Sequence, residues 1–141
     1  MKNILIIGVN STIGKQLFHL LSSDRDNVIY TTSRTEFEIN EARHQLLAPH
    51  ETDINLDFLP DEFHELYYLP GSINLKPFKM LKESDFRKDF EINLMGLVKV
   101  LKIVSKSLVA GNGAVLTFSS VAAQVGLDFH SSIAASKSAL E

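Results

Sequence analysis

The sequence predicts an α/β protein with a doubly wound parallel sheet, and three observations lead to that fold class. Short apolar runs without polar alternation, typical of strands covered on both faces, alternate with segments whose apolar residues recur at helical spacing. The first apolar run ends at a glycine turn that opens a helix. The chain of 141 residues is 45% hydrophobic and 22% charged, as in globular domains. Alternating strands and helices of this kind form parallel sheets.

The opening segments predict a strand, a turn, a helix and a second strand. Residues 4–7 are a run of isoleucine and leucine that ends at Gly8. Apolar residues recur at helical spacing from Ile13, and Ser11 or Thr12 is placed to cap that helix. The β-branched and aromatic run at 28–32 predicts the second strand. A right-handed crossover connection would place it parallel to the first.

The middle of the chain has a weaker pattern. We expect a short helix at 42–47 and a short third strand at 52–56. Residues 65–69 predict a fourth strand, which is closed by Pro70 and Gly71, a pair that a helix does not tolerate.

A long helix is predicted over residues 84–110, because apolar residues recur there at steps of three and four. This apolar stripe comprises Phe90, Leu94, Leu97, Leu101, Val104 and Leu108. Ile92, Val100 and Ile103 form a second apolar face on the same helix. A helix that is apolar on two sides is expected to lie between the sheet and another helix or a partner subunit.

The last part of the chain predicts one more strand and one more helix. Gly111 and Gly113 end the long helix, and residues 114–118 form a buried fifth strand. A final helix starts at Ser131 or Ser132 and continues to the last residue. We find no repeat or linker, so residues 1–141 are taken as a single domain.

Charge and composition exclude several functions. The net charge of −3 offers no basic surface for nucleic acid. The absence of cysteine excludes disulfides, thiolate metal sites and thiol nucleophiles, and it fits a reducing compartment, so we expect a cytoplasmic protein. The longest apolar stretches are too short or carry lysines, so no membrane span is expected. We assign no metal ligands.

The segment 8–14 lies between the first strand and the first helix, where free N–H groups and the helix dipole can bind a pyrophosphate. A tight turn without a ligand is the alternative reading of this segment alone. Gly8 and Gly14 resemble the first and third glycines of the Gly-x-x-x-Gly-x-Gly turn of the short-chain dehydrogenase/reductase family, with Thr12 in the central place.

Three later segments resemble motifs of the same family, in the family's order. Residues 91–96 resemble the helix motif that carries an asparagine, here Asn93. Residues 113–120 resemble the fifth strand, which ends in the catalytic serine, here Ser120. Residues 134–140 resemble the start of the active-site helix, with Lys137 in the lysine position. The resemblance implies a Rossmann fold, of which this chain contains five strands and lacks the C-terminal ones, as the N-terminal portion of a longer domain.

Two departures from the family pattern affect the expected chemistry. The catalytic tyrosine position, four residues before Lys137, is occupied by Ile133, which has no proton to give. The family's Asn-Asn-Ala-Gly turn is replaced by residues 68–71, of which only Gly71 matches the pattern. His130 is a conceivable substitute donor, although a histidine in such a loop is more often a surface or packing residue. Tyr67 and Tyr68 are expected to serve packing or the cofactor wall.

The resemblance implies a nicotinamide dinucleotide cofactor, and we expect NADP in preference to NAD. The second strand ends in Ser33 and Arg34, where NAD-preferring proteins place an acidic residue, and arginine can pair with a 2′-phosphate. A single solvated loop charge is the alternative for Arg34. Asp53 resembles the family's adenine-contacting aspartate. The residues expected to contact the cofactor are Gly8, Asn10, Ser11, Thr12, Ile13, Gly14, Ser33, Arg34, Asp53, Gly71, Asn93 and Lys137.

Three functions remain open at this point. The first is an oxidoreductase that transfers hydride between NADP(H) and a small carbonyl or alcohol, with Ser120, Lys137 and Asn93 as catalytic residues. The second is a dinucleotide-binding protein that has lost catalysis and acts as a sensor or partner subunit. The third is a structural fragment without a ligand. We expect a homo-oligomer, dimer or tetramer, formed through the helix at 84–110 and the active-site helix, and a fifth strand covered by further chain or another subunit.

Overall fold

The computed structural model describes residues 1–37, 43–50 and 53–141. Five parallel strands form one sheet in the order β3-β2-β1-β4-β5. The strands are β1 (Lys2–Ile7), β2 (Asn27–Ser33), β3 (His44–Leu46), β4 (Glu65–Tyr68) and β5 (Ala114–Thr117). The helices are α1 (Thr12–Ser22), α2 (Glu83–Phe90), α3 (Gly96–Ala110) and α4 (Ser131–Leu140), and a π-helical turn, Glu91–Met95, joins α2 to α3. The predicted α/β class with a parallel sheet is confirmed.

β1 lies at the centre of the sheet and is covered on both faces. Leu5 and Ile7 pack in a core with residues of α3, whereas Ile4 and Ile6 pack in a second core with residues of α1. All four side chains are at most 1% exposed. This explains the unbroken apolar run, because neither face of the strand meets water. Helices on both faces make the sheet doubly wound.

The prediction for the middle of the chain is wrong in the described residues. β3 is His44–Leu46, inside the segment for which a helix is predicted, and residues 53–56 form neither helix nor strand. Ala42 and Thr52, which belong to the two predicted elements, lie outside the described residues. β3 pairs with β2 over three residues, two of which are polar, so it carries too little apolar pattern to be detected.

The predicted helix over 84–110 is present as α2, the π-helical turn and α3. Leu97, Val104 and Leu108 of the predicted stripe are buried in the core. Val100, which the periodicity assigns to the second face, is also in this core, whereas Ile103 of that face is 43% exposed. The face of α3 that packs on the sheet therefore includes Val100 and is wider than the predicted stripe.

The fifth strand is not buried as predicted. Val115 and Leu116 of β5 are 43% and 44% exposed. The reason is topological, because β5 ends the strand order and pairs only with β4 among the described residues. None of the described helices combines the length and the apolar character that a membrane span requires.

Candidate functional site

The strand order changes direction between β1 and β4, since the chain continues from β1 outward to β2 and β3 and then returns to the other side. In open parallel sheets, ligands bind outside the carboxyl ends of the strands at such a point. A cavity of about 470 Å³ lies there. Its wall is formed by the turn after β1, the loop after β2, the residues after β3 and the turn after β4.

The turn after β1 brings the start of α1 to the cavity. Gly8 has a φ of 85°, and its N–H and that of Val9 both donate to the carbonyl oxygen of Thr32, at 2.8 and 3.0 Å. Ser11 caps α1, because its Oγ accepts a hydrogen bond from the N–H of Gly14 at 3.0 Å. Gly8, Asn10 and Ser11 line the cavity. The arrangement places the positive end of a helix dipole beside the open space.

The two glycines of this turn are required by close contacts. A Cβ on Gly8 would lie 3.3 Å from Cδ of Pro70, and one on Gly14 would lie 2.5 Å from the carbonyl oxygen of Val9. Thr12 and Ile13 of the same segment are exposed and are not among the cavity-lining residues. The glycines therefore allow the close approach of α1 to the strand end, and the exposed Thr12 occupies the central position.

The loop after β2 is tied to this turn. Nδ2 of Asn10 donates to Oγ1 of Thr35 at 2.6 Å and to the carbonyl oxygen of Glu36 at 3.3 Å. Ser33, which is 2% exposed, and Arg34, which is exposed, both line the cavity. None of the described cavity-lining residues is acidic. An anionic group at this end would meet the guanidinium of Arg34 among the described lining residues.

The residues after β3 are a part of the cavity wall that the sequence did not predict. Leu47, Ala48, Pro49 and His50 line the cavity directly after this strand. Placing the third strand at 44–46 would have located them, because ligand contacts come from carboxyl ends of strands. Asp53, in contrast, is exposed and does not line the cavity. Its assignment to an adenine contact rests on the resemblance alone.

A second group of predicted residues meets beside the turn after β4. Asn93, in the π-helical turn, is 0% exposed, and its Nδ2 donates to Oγ of Ser72 at 3.0 Å and to the carbonyl oxygen of Asp89 at 2.9 Å. A Cβ on Gly71 would lie 3.4 Å from Oδ1 of Asn93 and 3.8 Å from Nζ of Lys137. The structure thus brings Gly71, Asn93 and Lys137 together, and Gly71 also lines the cavity.

Lys137 lies on the buried face of α4. Its Nζ donates to the carbonyl oxygen of Phe118 at 2.6 Å, and burial lowers the pKa of this ammonium from its usual range. Ile133, one helical turn earlier, is 3% exposed. Ser120 is half-buried and caps a short 3-10 turn, Val121–Ala123, by accepting from the N–H of Ala122 at 3.2 Å. Lys137 thus carries an ammonium on α4 and Ser120 a hydroxyl at the start of the 3-10 turn, and the tyrosine position carries an aliphatic side chain.

The candidate substitute donors have other partners. Nδ1 of His130 donates to the carbonyl oxygen of Asp128 at 2.6 Å. The hydroxyl of Tyr68 donates to the carbonyl oxygen of Ile92 at 2.8 Å, and that of Tyr67 donates to Oε2 of Glu65 at 2.7 Å. Burial raises the pKa of Tyr68, and burial together with Glu65 raises the pKa of Tyr67 to about 12. Both phenols hold their protons more tightly than an ordinary tyrosine.

Comparison with known proteins identifies similar sequences and structures. A family model described as short chain dehydrogenase matches residues 61–141, more than half of the chain. A short chain dehydrogenase/reductase from Saccharomyces cerevisiae is 23% identical, with a TM-score of 0.84 over 99% of this chain and 62% of that one. The protein ElxO, solved with NADP bound, is 21% identical, with a TM-score of 0.78 over 99% of this chain and 63% of that one.

An oxidoreductase of the short chain dehydrogenase/reductase family from Brucella ovis, in complex with a partially ordered NAD, is 19% identical. Its TM-score is 0.79 over 99% of this chain and 72% of that one. No curated protein matches the sequence. The chain spans less than two thirds of the length of the Saccharomyces cerevisiae protein and of ElxO. At these identities the likeness to solved structures shows a shared fold.

Proposed function

Because the chain belongs to the short-chain dehydrogenase/reductase family, we propose that it binds NADP(H) and takes part in hydride transfer between this cofactor and a small carbonyl or alcohol. The observation that carries the proposal is the cavity of about 470 Å³ at the strand ends. Its wall combines a positive-φ glycine turn, a helix N-terminus and an exposed arginine. Two proteins of the same fold have been solved with NADP and with NAD.

The pyrophosphate is assigned to the turn after β1. Gly8, Asn10 and Ser11 line the cavity where α1 begins, so main-chain N–H groups and the helix dipole favour an anion there. Thr12 adds a Cβ and a hydroxyl at the family's central glycine position, but its side chain is exposed. The turn therefore fits a pyrophosphate despite this departure.

The preference for NADP is assigned to the loop after β2. Arg34 lies at the cavity and can form two charge-assisted hydrogen bonds with a 2′-phosphate. Ser33 and Thr35 add hydroxyl groups to the same wall, and no acidic residue is among the described residues that line it. An NAD-binding site would instead carry an acidic residue for the ribose hydroxyls.

The reacting end of the cofactor is assigned to the group around Lys137. The bound cofactor would donate or accept the hydride. We assign the ribose to Lys137 and the neighbouring Gly71, and the substrate oxygen to the hydroxyl of Ser120. Ile133 supplies no acid or base, and such groups typically contribute about 10²- to 10⁴-fold in rate. Slow turnover is therefore expected from this chain.

A second candidate function is dinucleotide binding without turnover, as a sensor or as a partner for another subunit. Ile133 favours it, because this side chain is 3% exposed and fills the place of the proton donor.

One experiment distinguishes the two functions. The wild-type chain is mixed with NADPH or NADH, and both its melting temperature and the oxidation of the cofactor with a carbonyl panel are measured. A thermal shift with oxidation supports the enzyme, and a shift alone supports the binding protein. No shift would exclude both.

Replacement of Arg34 tests the cofactor preference. We expect Arg34→Ala to raise the Kd for NADPH by about tenfold or more, because hydrogen bonds to charged groups contribute about 1.5–3 kcal/mol. The Kd for NADH should not change with this variant. Arg25→Ala, which removes an exposed arginine at the other end of β2, is the matched control. Equal or tighter binding of NADH by the wild-type chain would contradict the preference.

A further inference from the structure

Ser72 and Asp89 join Asn93 in a hydrogen-bonded chain that the family motifs do not include. Oγ of Ser72 donates to Oδ1 of Asp89, and Nδ2 of Asn93 donates to Oγ of Ser72 at 3.0 Å. Asp89 is 2% exposed, Asn93 is 0% exposed and Ser72 is half-buried. A buried polar chain of this kind is stable only where its donors and acceptors match.

The partners determine which way the Asn93 carboxamide faces. The carbonyl oxygen of Asp89 can only accept, so the group 2.9 Å from it must be Nδ2 and not Oδ1. Ser72 has one hydroxyl hydrogen, which goes to Asp89, and therefore its Oγ accepts the second hydrogen of Nδ2. Both hydrogens of the amide are used. A flipped carboxamide would place its oxygen against another carbonyl oxygen.

Two buried acceptors of this arrangement have no hydrogen-bond donor among the described residues, Oδ2 of Asp89 and Oδ1 of Asn93. Oδ1 of Asn93 lies beside Gly71. The position that a Cβ of Gly71 would occupy is 3.4 Å from this oxygen and 3.8 Å from Nζ of Lys137. The space at Gly71 exists because this residue has no side chain. A buried acceptor without a partner is costly unless a donor occupies that space.

We propose that Ser72 and Asp89 are positioning residues, which hold the Asn93 carboxamide with Oδ1 presented to an N–H or O–H donor between it and Lys137. For its effect on turnover, this inference rests on the proposed oxidoreductase function. The orientation of the carboxamide does not rest on that function, because it follows from the hydrogen bonds among Ser72, Asp89 and Asn93. The two parts can therefore be tested separately.

The orientation is tested by hydrogen exchange of the Asn93 side-chain amide in the ¹⁵N-labelled 141-residue chain. We expect both amide hydrogens to be protected in the wild type, and one to exchange about tenfold or more faster in Ser72→Ala. Ser72→Thr, which keeps the hydroxyl, should retain the protection. Ser105→Ala, at an exposed position of α3, is the control. Unchanged exchange in a folded Ser72→Ala variant would overturn the proposal.

The effect on turnover is tested with NADPH oxidation. We expect Ser72→Ala and Asp89→Ala to lower kcat by about tenfold and to leave the KM for NADPH within about twofold of the wild type. Ser72→Thr should restore kcat, and Glu91→Gln, at an exposed position two residues after Asp89, should not change it. An unchanged kcat in Ser72→Ala would overturn the role in turnover. A wild-type chain that binds NADPH but oxidises none contradicts the proposed reaction, and the exchange experiment then decides the positioning.

Discussion

Ile133 and Lys137 lie one helical turn apart on the buried face of α4, at 3% and 8% exposure. The family places a phenol and an ammonium at these two positions, whereas here the first side chain has no exchangeable proton. The hydroxyls of Tyr67 and Tyr68 each donate to another group and their pKa values are raised, so we expect neither to replace it. We therefore expect the residue at position 133 to control the rate of the proposed reaction.

Restoring the phenol is the direct test at this position. We expect Ile133→Tyr to raise kcat/KM for a panel of aldehydes and ketones by about 10²-fold or more, because general acid catalysis contributes about that much. Ile133→Phe supplies the ring without the hydroxyl and should remain at the wild-type level. Equal rates for the two variants would mean that loss of the hydroxyl does not limit this protein.

Gly14 is the residue whose missing side chain brings α1 against the end of β1. Because a Cβ there would lie 2.5 Å from the carbonyl oxygen of Val9, Gly14→Ala should lower the free energy of unfolding by about 1–3 kcal/mol. Gly126→Ala is the matched control, since a Cβ at that glycine would meet nothing within 4 Å. Urea denaturation of both variants measures the difference. A Gly14→Ala variant as stable as Gly126→Ala would contradict the close contact.

At the scale of elements, the start of α3 and the π-helical turn approach β4 closely at Gly96 and Tyr68. A Cβ on Gly96 would lie 2.2 Å from the hydroxyl oxygen of Tyr68, which donates to the carbonyl oxygen of Ile92. Tyr68 is 2% exposed and is part of the core with Val100 and Val104. The position of Asn93 in the π-helical turn thus depends on how closely α3 approaches the sheet.

A double-mutant cycle measures this approach. Gly96→Ala should lower the free energy of unfolding by about 1–3 kcal/mol, because the tyrosine hydroxyl must move. In a Tyr68→Phe background the same substitution should cost less, by at least about 0.5 kcal/mol, since the colliding oxygen is gone. The four stabilities are measured by chemical denaturation. Additive effects would show that Gly96 and Tyr68 do not share this contact.

The middle of the chain shows why one element could not be predicted. β3 has three residues, and His44 and Gln45 in it are polar. Its position comes from hydrogen bonding to β2 in the register of Thr31 with His44. Local apolar periodicity carries no information about such a pairing. The cavity-lining residues after β3 were missed for the same reason.

At the scale of the whole molecule, apolar side chains remain exposed on α3 and on β5. Val98, Ile103 and Val109 of α3 are 36%, 43% and 81% exposed, and Val115 and Leu116 of β5 are more than 40% exposed. Exposed apolar side chains and strand edges favour association with another chain. We retain the proposal of a homo-oligomer formed through the helix at 84–110, which contains α3, and through the active-site helix α4, with the edge at β5 as the competing surface.

A lysine introduced on α3 or on β5 shows which of these two surfaces forms the interface. We expect the chain to self-associate in sedimentation experiments, and Ile103→Lys to raise the dissociation constant by about tenfold or more, because a buried unpaired ammonium is costly. Leu116→Lys puts the same charge on β5 and should leave the association unchanged. Dissociation by Leu116→Lys alone would assign the interface to β5 instead.

The sequence by itself determined the fold class, β1, the glycine turn and the long helix, because these depend on neighbouring residues: apolar periodicity, turn stereochemistry and helix capping. It also located Asn93, Ser120 and Lys137 in three segments that resemble motifs of the family, in the family's order. Only the tertiary structure decided the place of β3, the exposure of β5 and the hydrogen bonds of Ser72 and Asp89 to Asn93. These features depend on contacts between segments far apart in the chain, which local patterns do not encode.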